Sequence, residues 1–205
     1  MDKVAFLISL DPGLLDFATP RKNEELVPWS YYSRAPFTAA AMATSTPFFN
    51  SVPADSRTGN MELASQIPSP KRFLVTSLRV HIASIVAAAV SGTTVPGTIS
   101  NDVNQIVSDC QVEFSLGDKV YVKLPVWKVP SGGGLVGFAS NNATGGVTSY
   151  VTNGLPDQEN GYEGAWPIPS NTSFSVLLKA PAPPTLANAV QVTIMLDGWL
   201  IRPHQ

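Results

Sequence analysis

The sequence is poor in cysteine, charge and histidine, and each shortage removes a class of function. Its single cysteine, Cys110, excludes an internal disulfide framework and any multi-cysteine metal site. At the head of an alternating stretch, it reads as a small buried hydrophobe. Only 14% of the residues are charged, against about 25% in an ordinary soluble domain. The surface must therefore be covered by Ser, Thr, Asn, Gln and backbone, or be hidden against other subunits. Thirteen Lys and Arg stand against fifteen Asp and Glu, and the longest basic runs are the pairs Arg21-Lys22 and Lys71-Arg72. Such scattered cations are not the footprint of a nucleic-acid binder. The two histidines, His81 and His204, are far apart, and no G-x-S-x-G elbow accompanies them. That leaves no basis for a histidine-driven nucleophile or for a cupin-type metal site with its clustered His and Glu ligands.

Long apolar runs are missing too. No stretch reaches the roughly 18 residues of a membrane-spanning helix. The opening "MDKVAFLISL" holds a short apolar run, but "DPG" follows it directly with no small-residue cleavage site, so a signal peptide is not expected. The sequons Asn142-Ala143-Thr144 and Asn171-Thr172-Ser173 then carry little weight.

Proline and glycine are plentiful. Eighteen prolines and fifteen glycines cut the chain into short segments and argue against long helices. Five stretches alternate as strands with one buried face do. In 73–82, Leu74, Leu78, Val80 and Ile82 share a face opposite Ser77, Arg79 and His81. In 111–116, Val112, Phe114 and Leu116 point one way, and 119–127 repeats the pattern with Val120, Val122, Leu124 and Val126. Gly117-Asp118 between them fits a tight hairpin turn, and Pro125 marks the second strand as an edge. The stretches 173–180 and 190–203 alternate likewise, with a bulge expected at Asp197-Gly198. Asn101 or Ser100 could cap a short helix through "NDVNQIVSD". Residues 131–171 form a long Gly, Asn, Ser and Thr-rich excursion with room for short strands near 135–139 and 147–151, the kind of loop that faces partners.

Two motifs invite chemistry and lose it on inspection. "VPSGGGLVGF" (129–138) has neither the Lys-Ser/Thr pair of a phosphate loop nor a following helical period, so its glycines read as a sharp turn. The window "DQENGYEG" (157–164) crowds Asp157, Glu159 and Glu163, but it lacks the full ligand series of a calcium loop and reads as solvated loop acids. No cofactor is expected.

The first 70 residues differ from the rest. Alternation fails in "VPWSYYSRAPFTAAAMATSTPFFNSVP", yet Trp29, Tyr31, Tyr32, Phe37, Phe48 and Phe49 make it too apolar for a disordered tail. The expectation is an extended arm with a short helix over 1–70, its six aromatics forming a subunit interface, followed by a β-sandwich domain over 71–205.

An extended arm, paired amphipathic strands, a long loop and closing strands ending in "MLDGWLIRP" form an order that resembles viral single jelly-roll capsid proteins, most of all coat subunits of tailless icosahedral bacteriophages. The resemblance implies an all-β, antiparallel, eight-stranded jelly-roll sandwich with one or two short helices. It implies a structural virion protein rather than an enzyme, assembled in the host cytoplasm into an icosahedral shell. Its partners would be further copies and other capsid proteins, with the arm bridging neighbours. The missing basic arm departs from the family and puts genome contact in doubt; an internal membrane or scaffold could take that place. The competing expectation is a receptor- or carbohydrate-binding β-sandwich of a phage spike or tail, with Trp127, Tyr150, Tyr162 or Trp166 as a stacking platform.

Overall fold

The computed structural model describes residues 11–84, 96–129, 137–141, 147–151 and 162–204. In chain order these contain α1 (Pro12–Ala18), β1 (Glu24–Phe37), β2 (Ser45–Phe48), β3 (Arg72–Ser84), α2 (Pro96–Asp109), β4 (Gln111–Leu116), β5 (Lys119–Pro125), β6 (Gly137–Asn141), β7 (Val147–Val151), β8 (Tyr162–Ile168), β9 (Phe174–Lys179) and β10 (Val190–Pro203). The three-glycine stretch, the apolar run 85–90 and the acids Asp157 and Glu159 lie outside the described residues.

Eight strands form two antiparallel four-stranded sheets, ordered β1-β10-β3-β8 and β2-β9-β4-β5, while β6 and β7 pair as a separate ribbon beside α2. The pairing is nested: β1 with β10, β2 with β9, β3 with β8 and β4 with β5. The chain therefore runs out along one half of a ribbon and back along the other, and the ribbon folds over so that the two sheets face each other.

The core lies between the sheets. Phe73, Val75, Leu78, Val80 and Ile82 of β3 face Val112 and Phe114 of β4 and Phe174, Val176 and Leu178 of β9, all nearly solvent-free. Each such side chain contributes about 1.5–3 kcal/mol by burial. Within the layers Tyr31 meets Phe73 edge-on at 5.0 Å and Phe114 contacts Phe174, and Phe114 against Trp166 joins one sheet to the other. One end is closed by α2, which buries Val103, Ile106 and the adjoining Cys110. This helix begins at Pro96, earlier than a cap at Ser100 or Asn101 would place it, because proline suits the first turn of a helix.

Among the described residues of 1–70, β1 and β2 are not an arm set apart from the sandwich: they belong to it and supply one edge strand to each four-stranded sheet. Alternation fails in β1 because two inward positions are small, Ser33 and Ala35, while Pro28, Tyr32 and Pro36 take outward ones. The Ser33 hydroxyl is not left bare, since it accepts the Phe49 N–H at 3.0 Å. Even-numbered N–H groups of β1 point to the free edge, where Tyr32 donates to the Asn60 side chain and Arg34 to the Thr58 carbonyl. Pro28 and Pro36 share that parity and so cost the β10 ladder no hydrogen bond. Every edge strand of the two four-stranded sheets carries a proline, with Pro47 in β2, Pro125 in β5 and Pro167 in β8, and Pro125 had marked β5 as an edge from sequence.

Two bulges adjust the expected faces. Tyr121 is the extra residue on β5, since Phe114 pairs with Val122 and Ser115 with Val120. This reverses the parity beyond it, so Val120 is half exposed instead of facing inward. The register also shifts at Asp197/Gly198, but the extra residue is Thr76 on β3, and β10 runs unbroken against β1.

Candidate functional site

The six aromatics expected at a subunit interface divide sharply. Tyr31, Phe37, Phe48 and Phe49 are buried in the chain's own core, because β1 and β2 are sandwich strands. Tyr32 is partly buried, its hydroxyl donating to the Ser56 carbonyl. Only Trp29, 39% exposed, still offers an aromatic surface to another molecule.

What replaces that set is a rung across the outer face of the first sheet. Pro28 of β1 pairs with Trp199 of β10, Trp199 with Leu74 of β3, and Leu74 with Pro167 of β8. One apolar residue from every strand thus lies in line, and Leu26 and Ile201 continue the patch in the next rung. Leu74 and Ile201 are buried although they stand apart from the inter-sheet core, while Leu26, Pro28 and Trp199 are exposed. Sequence reasoning passed over Trp199, although the alternation of β10 places it opposite the core-facing Leu196 and Leu200.

Charges around this patch are matched within the chain. Arg72 bonds Glu24 at 2.7 Å and also donates to the carbonyls of Phe17 and Thr19, fastening the end of α1 to this face. Burial pushes the Glu24 carboxyl up, yet the hydrogen bonds from Arg72 and the Arg21 backbone outweigh it and hold the group below its usual value. Arg202 bonds Glu25 and Arg79 bonds Asp197, each at 2.7 Å.

A second feature is a cleft of about 450 Å³ between the facing edge strands β5 and β8. Tyr121, Tyr162 and Trp166 line it, with Asp11 and Leu14 of the α1 region and Glu163 of β8. Tyr162 and Trp166 were named as a platform from sequence, and their rings stack at 10° with centroids 6.2 Å apart. Trp127, the other tryptophan so named, is 60% exposed on the short 3-10 turn after β5 and has Lys128 over its ring. Tyr150 falls on β7.

The nucleophile and metal candidates remain scattered. His81 pairs across the sheet with Thr193, whereas His204 follows the far end of β10, roughly 35 Å along the strand at about 3.3 Å per residue. Cys110 is buried, and burial together with Asp109 pushes its thiol up to about 11, so the thiolate is scarce near neutrality. Among the described residues no three His, Cys, Asp or Glu side chains gather as a metal site. No helix among them is long and apolar enough to cross a membrane.

No family model matches the chain, and no curated protein matches it.

Proposed function

We propose that this chain is a structural coat subunit that folds as a jelly roll and assembles with further copies into a closed shell. The nested strand order, β1-β10-β3-β8 facing β2-β9-β4-β5, carries the reading. Eight strands in two facing antiparallel sheets with this order support a double-sheet jelly roll, an architecture found in viral capsid and lectin domains. Fold alone does not assign a function. The outer face favours a shell over a solitary domain, because its apolar rung has internally matched charges beside it and offers neighbours area without a charge to neutralise.

Prolines on all four edge strands of the two main sheets discourage strand-to-strand addition there, so copies of this chain meet through the faces and loops of the sandwich. The bridging part of the arm is then confined to the residues before β1. Such a task needs geometrically repeated contacts and no catalytic residue. Among the described residues seven basic side chains are ion-paired within the chain and the others are scattered rather than gathered in a patch, so contact with a genome runs through another component.

The size of the purified protein tests this directly. Light scattering and negative-stain microscopy should find closed shells or symmetric capsomers. A monodisperse monomer at millimolar concentration would overturn the proposal.

A further inference from the structure

The cleft between β5 and β8 is made by two irregularities that turn aromatic rings toward each other. On β5 the bulge at Tyr121 swings that side chain onto Phe114, with centroids 6.1 Å apart. On β8, Glu163 and Trp166 pair with Ser77 and Val75, so Gly164 and Ala165 stand against the single residue Thr76. A Cβ on Gly164 would lie 2.1 Å from the Trp166 ring, so the indole occupies the space that only glycine leaves open. Trp166 is 8% exposed and rests against Phe114, and Tyr162, stacked on it, is 37% exposed. The result is an exposed ring held flat by a buried one. Bulges recur beside binding sites because they re-aim side chains in this way, and the volume lies within the range of ordinary ligand pockets, about 300–1,000 Å³.

We infer that this cleft binds a neutral saccharide, with a sugar ring stacked on Tyr162. The lining decides the class. Asp11 and Glu163 disfavour an anion such as a phosphate or a nucleotide. A cationic ligand meets Lys119, whose Nζ already stands 4.7 Å over the Tyr121 ring and takes the face that a cation would use. A flat aromatic cannot slide between Tyr162 and Trp166, which are already stacked, and on the free face of Tyr162 a ring without hydroxyls would bring no donor to the Asp11 and Glu163 carboxylates. A pyranose satisfies what remains: its C–H face packs on the exposed ring, and its hydroxyls donate to the two carboxylates. Asp11 accepts the N–H groups of Gly13 and Leu14 at one oxygen, Oδ1, which fixes the carboxylate at the cleft mouth.

This inference is independent of assembly, and its test uses dispersed intact protein. An array of neutral and anionic glycans is followed by tryptophan-fluorescence titration with its tightest neutral hit, with choline and AMP as competing probes. A neutral glycan should saturate the signal. Tyr162→Ala should weaken it up to about tenfold, the ratio that loss of one aromatic stack allows, and Tyr162→Phe should keep it, since stacking needs the ring and not the hydroxyl. Gly164→Ala should weaken binding likewise by displacing the indole that holds Tyr162 flat, with thermal unfolding of each variant verifying the fold. Absence of any neutral hit, undiminished binding by Tyr162→Ala, or preferential binding of choline or AMP overturns the inference.

Discussion

Asp102 and Asn188 tie the helix inserted between β3 and β4 to the turn that leads into the last strand. The buried Asp102 carboxylate accepts the backbone N–H groups of Ala187 at 2.9 Å and Asn188 at 2.8 Å, and the Asn188 side-chain amide at 2.8 Å. These are charge-assisted bonds to a buried carboxylate, and removing it takes the acceptor from all three at once. Asp102→Ala should therefore lower stability by about 3 kcal/mol. Asp102→Asn should cost less, since it keeps an acceptor for one backbone N–H. Urea denaturation of both variants measures the difference, and equal losses would remove the charge from the explanation.

Gly198 is required by how closely β3 passes. A Cβ there would stand 1.9 Å from the Leu74 carbonyl oxygen, a backbone atom that cannot swing aside. The bulge at Thr76 brings the two strands together at this point. Gly198→Ala should destabilise the fold by about 3 kcal/mol, at the upper end of overpacking costs. Thermal unfolding checks it, and a loss under about 0.5 kcal/mol, the size of an ordinary surface change, would refute the close approach.

The strands β3, β4, β9 and β10 were legible because their core-facing residues alternate, although the bulge at Thr76 puts Phe73 and Val75 inward and leaves Leu74, expected beside Leu78, on the outer face. β1 was hidden because Ser33 and Ala35 point inward while Pro28 and Pro36 break the pattern at no cost to an edge strand. β8 was hidden in an acidic, glycine-bearing stretch, since Gly164 serves Trp166 and has no side chain to register a face. The same limit applies to the cleft. Tyr162 and Trp166 could be named as a platform because they are close in sequence, but alternation turns Tyr121 outward, and only the bulge returns it. The arm was misjudged for a related reason: Tyr31, Phe37, Phe48 and Phe49 need a sheet to bury them, and that sheet includes strands from the other end of the chain.

Tyr31 buries a hydroxyl for which the described residues provide no hydrogen-bond partner. Burial, with the Glu62 charge adding to it, raises its pKa far above the usual tyrosine value. An unmatched buried hydroxyl is a cost that phenylalanine lacks while keeping the edge-on contact to Phe73. Tyr31→Phe should leave the fold unchanged and raise its stability by about 1 kcal/mol. A measured loss of stability would mean that the hydroxyl is satisfied.

His81 makes stability depend on pH. Its pKa is lowered from 6.5, first by burial and then by the positive Arg34 across Thr193. Arg79 and Asp197, which share its face, are already paired with each other. Because the folded state binds the proton less readily than the unfolded chain, the unfolded state gains protons as pH falls below 6.5. Stability is therefore full above that pH and declines as pH drops through the lowered folded value. His81→Gln should flatten this part of the curve, leaving the carboxylate-driven loss at lower pH in place. Denaturant midpoints measured from pH 8 to pH 5 test it, and an unchanged slope in the variant would assign the dependence to other groups.

Trp199 separates folding from association. It stands in the apolar rung between Pro28 and Leu74, yet 38% of it is exposed, so its side chain gives the monomer less than a core residue gives. Trp199→Ser should cost the isolated sandwich about 1 kcal/mol. If neighbouring copies cover this rung, the same substitution removes a large desolvated ring from each contact, and aromatic anchors of this kind dominate interface energies. Assembly should then fail while circular dichroism and the unfolding midpoint remain near those of the parent. Trp127→Ser supplies the control, because Trp127 is more exposed, at 60%, but lies at the end of β5 in the other sheet. Light scattering on both variants decides the matter: loss of large particles with Trp199→Ser alone places the contact on the outer face of the first sheet, and loss with Trp127→Ser alone moves it to the other sheet.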